Sequence, residues 1–179
     1  MNVHKSFCST KLYLTHGDLH TGNILSDGTS FKLIDHRGDY PNHDIYFDLA
    51  YDSGKLLHDL HANYTMITNG NFYLDTSNTG IRFGVNQNKV RNTYRQLMNS
   101  YKNWCDNQPL FCQDPTWWPR TLLIEGCQLC GIVPFHYPYP ERSVVLYASG
   151  IVLLNKWLIW RNGKTDINSL FFPIDEQGR

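Results

Sequence analysis

Thr15-His16-Gly17-Asp18-Leu19-His20-Thr21-Gly22-Asn23-Ile24-Leu25, followed by Phe31-Lys32-Leu33-Ile34-Asp35-His36-Arg37-Gly38, is the stretch from which the rest of the chain is read. One aspartate stands in a short loop, an asparagine follows it, and a second aspartate comes after an apolar segment. Lys11 to Thr15 alternates around Leu12 and Leu14 as a short strand entering the loop. Asn23-Ile24-Leu25 and Phe31-Lys32-Leu33-Ile34 read as two further strands, joined by Ser26-Asp27-Gly28-Thr29, where Asp-Gly is a strong hairpin signal. Asp35 then emerges just past the second strand, and a loop followed by two short strands can bring residues 18, 23 and 35 around one point.

Beyond this front, helical periodicity takes over. Leu49, Leu56, Leu57 and Leu60 recur at helical spacing from about Tyr46 to His61, after breaker and cap chemistry at Pro41, Asn42 and Asp44. Residues 68–86 are rich in Asn, Gly, Thr and Ser around Phe72-Tyr73-Leu74 and Ile81-Arg82-Phe83, as in a surface hairpin or irregular excursion. Val90, Tyr94, Leu97, Met98, Tyr101, Trp104 and Cys105 trace one face of a long helix whose other, solvated face carries Lys89, Arg91, Arg95 and Lys102. A further helix runs from near Pro119 to Ile132, and another from Glu141 to Trp160. Pro134 to Pro140 is an aromatic, proline-rich connection whose His136, Tyr137 and Tyr139 could line a substrate pocket, although a plug over the helical core is the more common arrangement. No repeat or linker divides the chain. The expected class is α+β, mostly helical, in a single domain over residues 1–179.

The bulk numbers narrow the function classes. With 41% hydrophobic residues in 179, a sizeable core is expected. Sixteen basic residues balance sixteen acidic ones, so no global field draws nucleic acid or an anionic membrane. The N-terminus lacks the apolar block of a signal peptide, and the uncharged run between Arg142 and Lys156 is short of the roughly 18 residues that a bilayer requires. Cytoplasmic location, with neither membrane nor nucleic-acid partner, is the expectation. The five cysteines fit reduced thiols. A zinc site from Cys105, Cys112, Cys127 and Cys130 is the rival reading, but Cys127 and Cys130 sit one helical turn apart and read better as packing residues.

Phosphoryl transfer from ATP needs a carboxylate to orient and deprotonate the accepting hydroxyl, and oxygen ligands for magnesium on the phosphates. Asp18 suits the first task. Asn23 and Asp35 suit the second, because magnesium prefers hard oxygen donors.

His16-Gly17-Asp18 with Asn23, then Ile34-Asp35, then Phe47-Asp48-Leu49-Ala50 resemble the catalytic loop, metal-binding loop and following helix of the aminoglycoside phosphotransferase and choline kinase-like family, over residues 12 to about 60. The resemblance implies the C-terminal lobe of the protein kinase-like fold, with ATP and Mg2+ as cofactors. It implies Asp18 as catalytic base, Asn23 and Asp35 as magnesium ligands, and Asp48 as a buried carboxylate bracing the loop, with His16 in support. His20 stands where protein kinases carry a phosphate-contacting lysine. Gly38 gives the metal loop its turn, and His36 and Arg37 face substrate, Arg37 an anionic one. Tyr46-Phe47-Asp48-Leu49-Ala50 and Tyr137-Pro138-Tyr139-Pro140-Glu141-Arg142 are similar to segments of kinase-like proteins encoded with capsule or surface-sugar biosynthesis. The implied acceptor is a small hydroxylated molecule: a sugar, an aminoglycoside or a choline-like alcohol.

That family carries an N-terminal lobe with a strand lysine for the α and β phosphates. Only Lys5 and Lys11 precede the motif, and neither sits in such a setting. The expectation is therefore a C-terminal lobe alone, a fragment, a split partner or a decayed relative, with the nucleotide lobe on a longer or separate chain and little turnover by the isolated lobe. Two alternatives stay open: an inactive kinase-like binding lobe, and a metal-dependent hydrolase built from His16, Asp18, His20, Asp35 and His36. On the helix after the motif, Asp52 and Lys55 read as a surface ion pair, and His58 and His61 as structural.

Overall fold

The structure, a computed structural model, describes residues 11–37 and 45–171. At the front, β1 (Tyr13–Leu14) pairs antiparallel with β4 (Tyr46–Phe47), Tyr13 opposite Phe47. Between them come the motif loop, a 3-10 turn at Thr21–Asn23, and the hairpin of β2 (Ile24–Ser26) with β3 (Phe31–Leu33), in which Ile24 faces Leu33. Asp27 makes that hairpin turn. Its carboxylate accepts from the amides of Thr29 (2.9 Å) and Ser30 (2.7 Å) and from both hydroxyls, which holds the acid well below the usual carboxylate range. Gly28 takes the positive φ of 88°. The hairpin thus forms where Asp-Gly predicts it.

Helix α1 runs Ala50–Leu60, four residues later than periodicity places its start. Tyr46 and Phe47 satisfy their backbone in β4 instead, and Asp48 accepts the Ala50 amide at 3.0 Å before the first turn. After α1 come α2 (Tyr64–Thr68), entered through Asn63 at φ 59°, and the hairpin of β5 (Phe72–Ser77) with β6 (Gly80–Val85). The long α3 (Lys89–Asp106), the short α4 (Pro109–Cys112), α5 (Trp117–Gly131) and α6 (Pro140–Arg161) complete an α+β, mostly helical body.

The core lies where α1, α5 and α6 pack together, around Leu57, Leu122, Leu129, Leu146 and Leu153, all fully buried. Each such leucine contributes about 1.5–3 kcal/mol by leaving water. Gly54 lets α1 approach α5 closely. A Cβ there would stand 3.0 Å from the Ile124 side chain and 3.2 Å from the Glu125 backbone nitrogen. Within this core His61 Nδ1 lies 3.0 Å from each oxygen of the fully buried Glu125, tying the end of α1 to α5.

Three expectations change on packing. The buried stripe of α3 is Arg91, Met98 and Cys105, flanked by half-buried Tyr94 and Tyr101, whereas Val90, Leu97 and Trp104 are about half exposed. Arg91 leaves the solvated face because its guanidinium donates to the Val85 carbonyl at 3.2 Å, at the end of the β5–β6 hairpin. Cys127 is exposed and so is not a packing residue, while Cys105 is buried and its thiol is pushed up to about 11 by burial. Helix α6 is, by length and composition, apolar enough to cross a membrane. Its Val145, Leu146, Leu153 and Trp157 are buried in the core with α5, and Tyr147, Ile151, Leu158 and Ile159 are exposed.

Candidate active site

The loop from His16 to Asn23 is held from beneath by one face of α1. Asp52 accepts the backbone amides of His16 (2.6 Å) and Gly17 (2.8 Å), one on each carboxylate oxygen. Two turns on, Asp59 accepts the Thr21 amide (2.9 Å) and the Thr21 hydroxyl with one oxygen and the Thr65 amide (2.9 Å) with the other. Both carboxylates are buried, and charged acceptors on backbone N–H groups make strong, short bonds. Between them Lys55 extends its ammonium to within 3.0 Å of Asp18 Oδ1. Residues 52, 55 and 59 share one face at i, i+3 and i+7 spacing, so a single helix grips both ends of the loop and touches its central carboxylate.

Inside the loop the motif residues have defined tasks. His16 Nε2 donates to the Ile34 carbonyl (2.9 Å) while Nδ1 accepts the Asp18 amide (3.3 Å), an arrangement that assigns the Nε2–H tautomer. The His16 carbonyl accepts the Arg37 amide at 2.8 Å, so this residue joins the loop to the segment after β3. Gly17 has φ 81°, a conformation that a side chain would strain. His20 caps the 3-10 turn, its Nδ1 accepting the Gly22 amide at 3.1 Å. Asn23 donates from Nδ2 to the Asp18 carbonyl (2.9 Å), and its own carbonyl accepts the Ile34 amide (3.0 Å).

Asp18 is buried, with Lys55 on one oxygen and Arg37 Nε 3.2 Å from the other. Burial alone raises its pKa, but the hydrogen bond and charge of Lys55, with the charges of Arg37 and His20, outweigh that and leave the carboxyl below its ordinary value. It is an ionised acceptor at neutral pH.

Beside Asp18 opens a cavity of about 310 Å³ walled by residues of the loop, α1, α2 and the 3-10 turn Val133–His136. Asp18, His20 and Arg37 line it; Asn23 and Asp35 do not. Those two lie at the open end of the β2–β3 hairpin, linked to Asp18 through the Asn23 amide. Asp35 is exposed and holds φ 56°, a left-handed conformation that costs a non-glycine residue energy and recurs at functional positions.

Asn23 Nδ2 is spent on the loop, so its Oδ1 is the end left over, and Asp35 is an exposed carboxylate that follows Ile34, whose amide donates to the Asn23 carbonyl. One or two protein oxygens suffice for magnesium, an ion that keeps its waters and takes the rest from phosphates. Arrangement for a hydrolase is poorer, because both His16 ring nitrogens are committed to backbone groups. Among the described residues no cluster of three or more His, Cys, Asp and Glu side chains is set to hold a metal.

Several assignments are corrected by this geometry. Asp48 does not brace the loop: it caps α1 and receives Arg120, Nε at 2.8 Å, and Asp52 is the brace. Asp52 and Lys55 are not a surface pair, since both are withdrawn from solvent and turned to the loop. The 134–140 connection is not a plug. Phe135 and Tyr137 are 74% and 84% exposed, and His136 lines the cavity, 3.2 Å from the Tyr64 hydroxyl. His36 is exposed, and Gly38 lies outside the described residues. Sequence alone assigns Lys55 to the wrong partner and gives Asp59 and Tyr64 no role; the 52-55-59 spacing is the signal that points Lys55 and Asp59 to the face that carries Asp52. Comparison with protein-family models, with curated proteins and with solved structures finds no match to this chain.

Proposed function

We propose that this chain is the catalytic-loop lobe of an ATP-dependent phosphotransferase of the protein kinase-like fold, acting on the hydroxyl of a small molecule. The observation that carries the reading is the double clamp of Asp52 and Asp59 on the loop that presents Asp18. Four backbone and hydroxyl donors are committed to fixing a short loop around one ionised carboxylate, as a reaction that depends on positioning requires. In the proposed step the acceptor oxygen bonds to the γ-phosphorus, the bond to the β,γ-bridging oxygen breaks to release ADP, and the hydroxyl proton passes to Asp18. Asn23 and Asp35 would hold magnesium, which when bound neutralises charge on the phosphates.

Leu12, Leu14, Leu25 and Phe31 are 53–70% exposed on or just before the front strands, an apolar surface that suits a covering nucleotide lobe on the same or another chain. A second reading, a lobe that binds without turnover, draws on the engagement of both Asp18 oxygens by cations.

Paramagnetic broadening tests the metal half directly. Mn2+ with ATP, added to the isotopically labelled chain, should broaden the amide signals around Asn23 and Asp35 first, and Asp35→Ala should remove the effect. Broadening centred elsewhere, or unchanged in the variant, removes both residues from this role. In an assembly with its nucleotide lobe, Asp18→Asn should lower turnover about 10²–10⁴-fold with folding intact; an unchanged rate would leave the binding-lobe reading in place.

A further inference from the structure

The cavity beside Asp18 has a charge and a hydrogen-bonding character that specify what enters it. Its walls carry two permanent cations, Lys55 and Arg37, against one carboxylate, Asp18. The other nearby carboxylate, Asp59, is fully buried and has both oxygens bonded to Thr21 and Thr65, so it offers nothing to a ligand. His58, Tyr64 and His136 add neutral polar groups to the wall, beside His20. His58 is 1% exposed, and burial drives its pKa down to about 3. Tyr64 is raised by burial and by the charges of Asp59 and Asp18, and His136 is lowered by burial and by Arg142.

One group in this wall is conspicuously unused. His58 Nε2 is buried and has no hydrogen-bond partner among the described residues, although a buried polar atom left alone costs about 1–3 kcal/mol. The volume, about 310 Å³, is at the small end of small-molecule sites and suits one compact polar molecule.

We infer that this cavity is the acceptor site and that the acceptor is a small hydroxylated anion, a phosphorylated or carboxylated alcohol, rather than a cation of the aminoglycoside or choline type. Its anionic group pairs with Arg37 and Lys55, and one hydroxyl lies against Asp18. Arg37 is suited to the exchange: its side chain is 60% exposed and reaches Asp18 through Nε, leaving the rest of the guanidinium fork for a phosphate or carboxylate. A cationic acceptor would have to approach Asp18 past two like charges.

The inference rests on the phosphotransferase reading for the word acceptor, but its test uses neither nucleotide nor metal, so the two fail separately. Glucose 6-phosphate, glucose, choline and kanamycin are titrated into the labelled chain at fixed ionic strength. Glucose 6-phosphate should shift the signals of Arg37, Lys55, His58 and Tyr64 and bind at least about tenfold more tightly than glucose, choline or kanamycin. Arg37→Gln, at an exposed position that folding does not need, should weaken that binding about tenfold. Lys55→Gln should do the same, with circular dichroism checking its fold. Tighter binding of choline or kanamycin, equal binding of glucose, no shift at millimolar glucose 6-phosphate, or full affinity in Arg37→Gln each overturns the inference.

Discussion

The two halves of the candidate site are built in opposite ways. Asp18 stands on a loop clamped by Asp52 and Asp59, pressed between Lys55 and Arg37, and buried but for the cavity it lines. Asp35 stands past the end of a three-residue strand, exposed, in a left-handed conformation. Rigidity is thus concentrated where a proton would be taken up, and the other half is left open where a metal–nucleotide complex and a covering lobe would supply the missing contacts. The contrast teaches that Asp18 is preorganised by its neighbours on α1, whereas Asp35 stands open; under the proposed function a metal–nucleotide complex and a covering lobe would complete that end.

That contrast can be broken from behind first. Glu125→Ala removes the fully buried carboxylate that His61 Nδ1 meets and should cost about 3–5 kcal/mol, read as a fall in the urea midpoint, with loss of the loop's amide protection as α1 loosens from α5. Asp52→Ala leaves two buried amides unsatisfied and should cost about 3 kcal/mol. Its hydrogen-exchange signature should be confined to residues 16–18, with Asp52→Asn recovering part of the loss; uniform loss of protection would mean that Asp52 supports the core and not the loop.

Protonation offers a gentler lever on the same half. The folded state keeps His58 neutral, with its pKa lowered by burial from 6.5 to about 3, so folding excludes a proton that the unfolded chain binds. Stability is therefore full above about pH 6.5 and falls as pH drops toward 3, by about 1.4 kcal/mol per pH unit well inside that window. Urea midpoints at several pH values should follow this slope, and His58→Leu should flatten it. Smallest of all is the open half: Asp35→Gly relieves the left-handed strain and should raise stability by up to about 1 kcal/mol, while removing the metal-dependent broadening. A loss of stability there would mean that Asp35 is braced like Asp18.

Local signals carried much of this arrangement. Asp27-Gly28 encodes its own turn, and the periodicities of α3, α5 and α6 place them within a few residues of their observed ends, because propensity and packing agree there. Of residues 18, 23 and 35, whose spacing could bring them around one point, Asn23 is joined to Asp18 by a hydrogen bond, whereas Asp35 lies outside the cavity that Asp18 lines. What spacing alone misjudges is which carboxylate reaches the loop. Asp48 and Asp52 are one helical turn apart, and the choice between them is decided by Arg120, a residue 72 positions from Asp48 that claims it from α5. The same long-range contact logic hides Arg91, whose burial depends on a carbonyl at the end of a separate hairpin. Helix α2 and its tyrosine escaped notice because the helix is five residues long and is entered through a left-handed asparagine.

Gly54 has a reach beyond its own size. It is the hydrogen atom on its Cα that sets how deep α1 settles on α5, and from that depth Asp52, Lys55 and Asp59 extend toward the loop. One methyl group there would act as a shim, lifting the whole row of charged side chains together and detuning the carboxylate on the far side of the helix without replacing any residue that touches it.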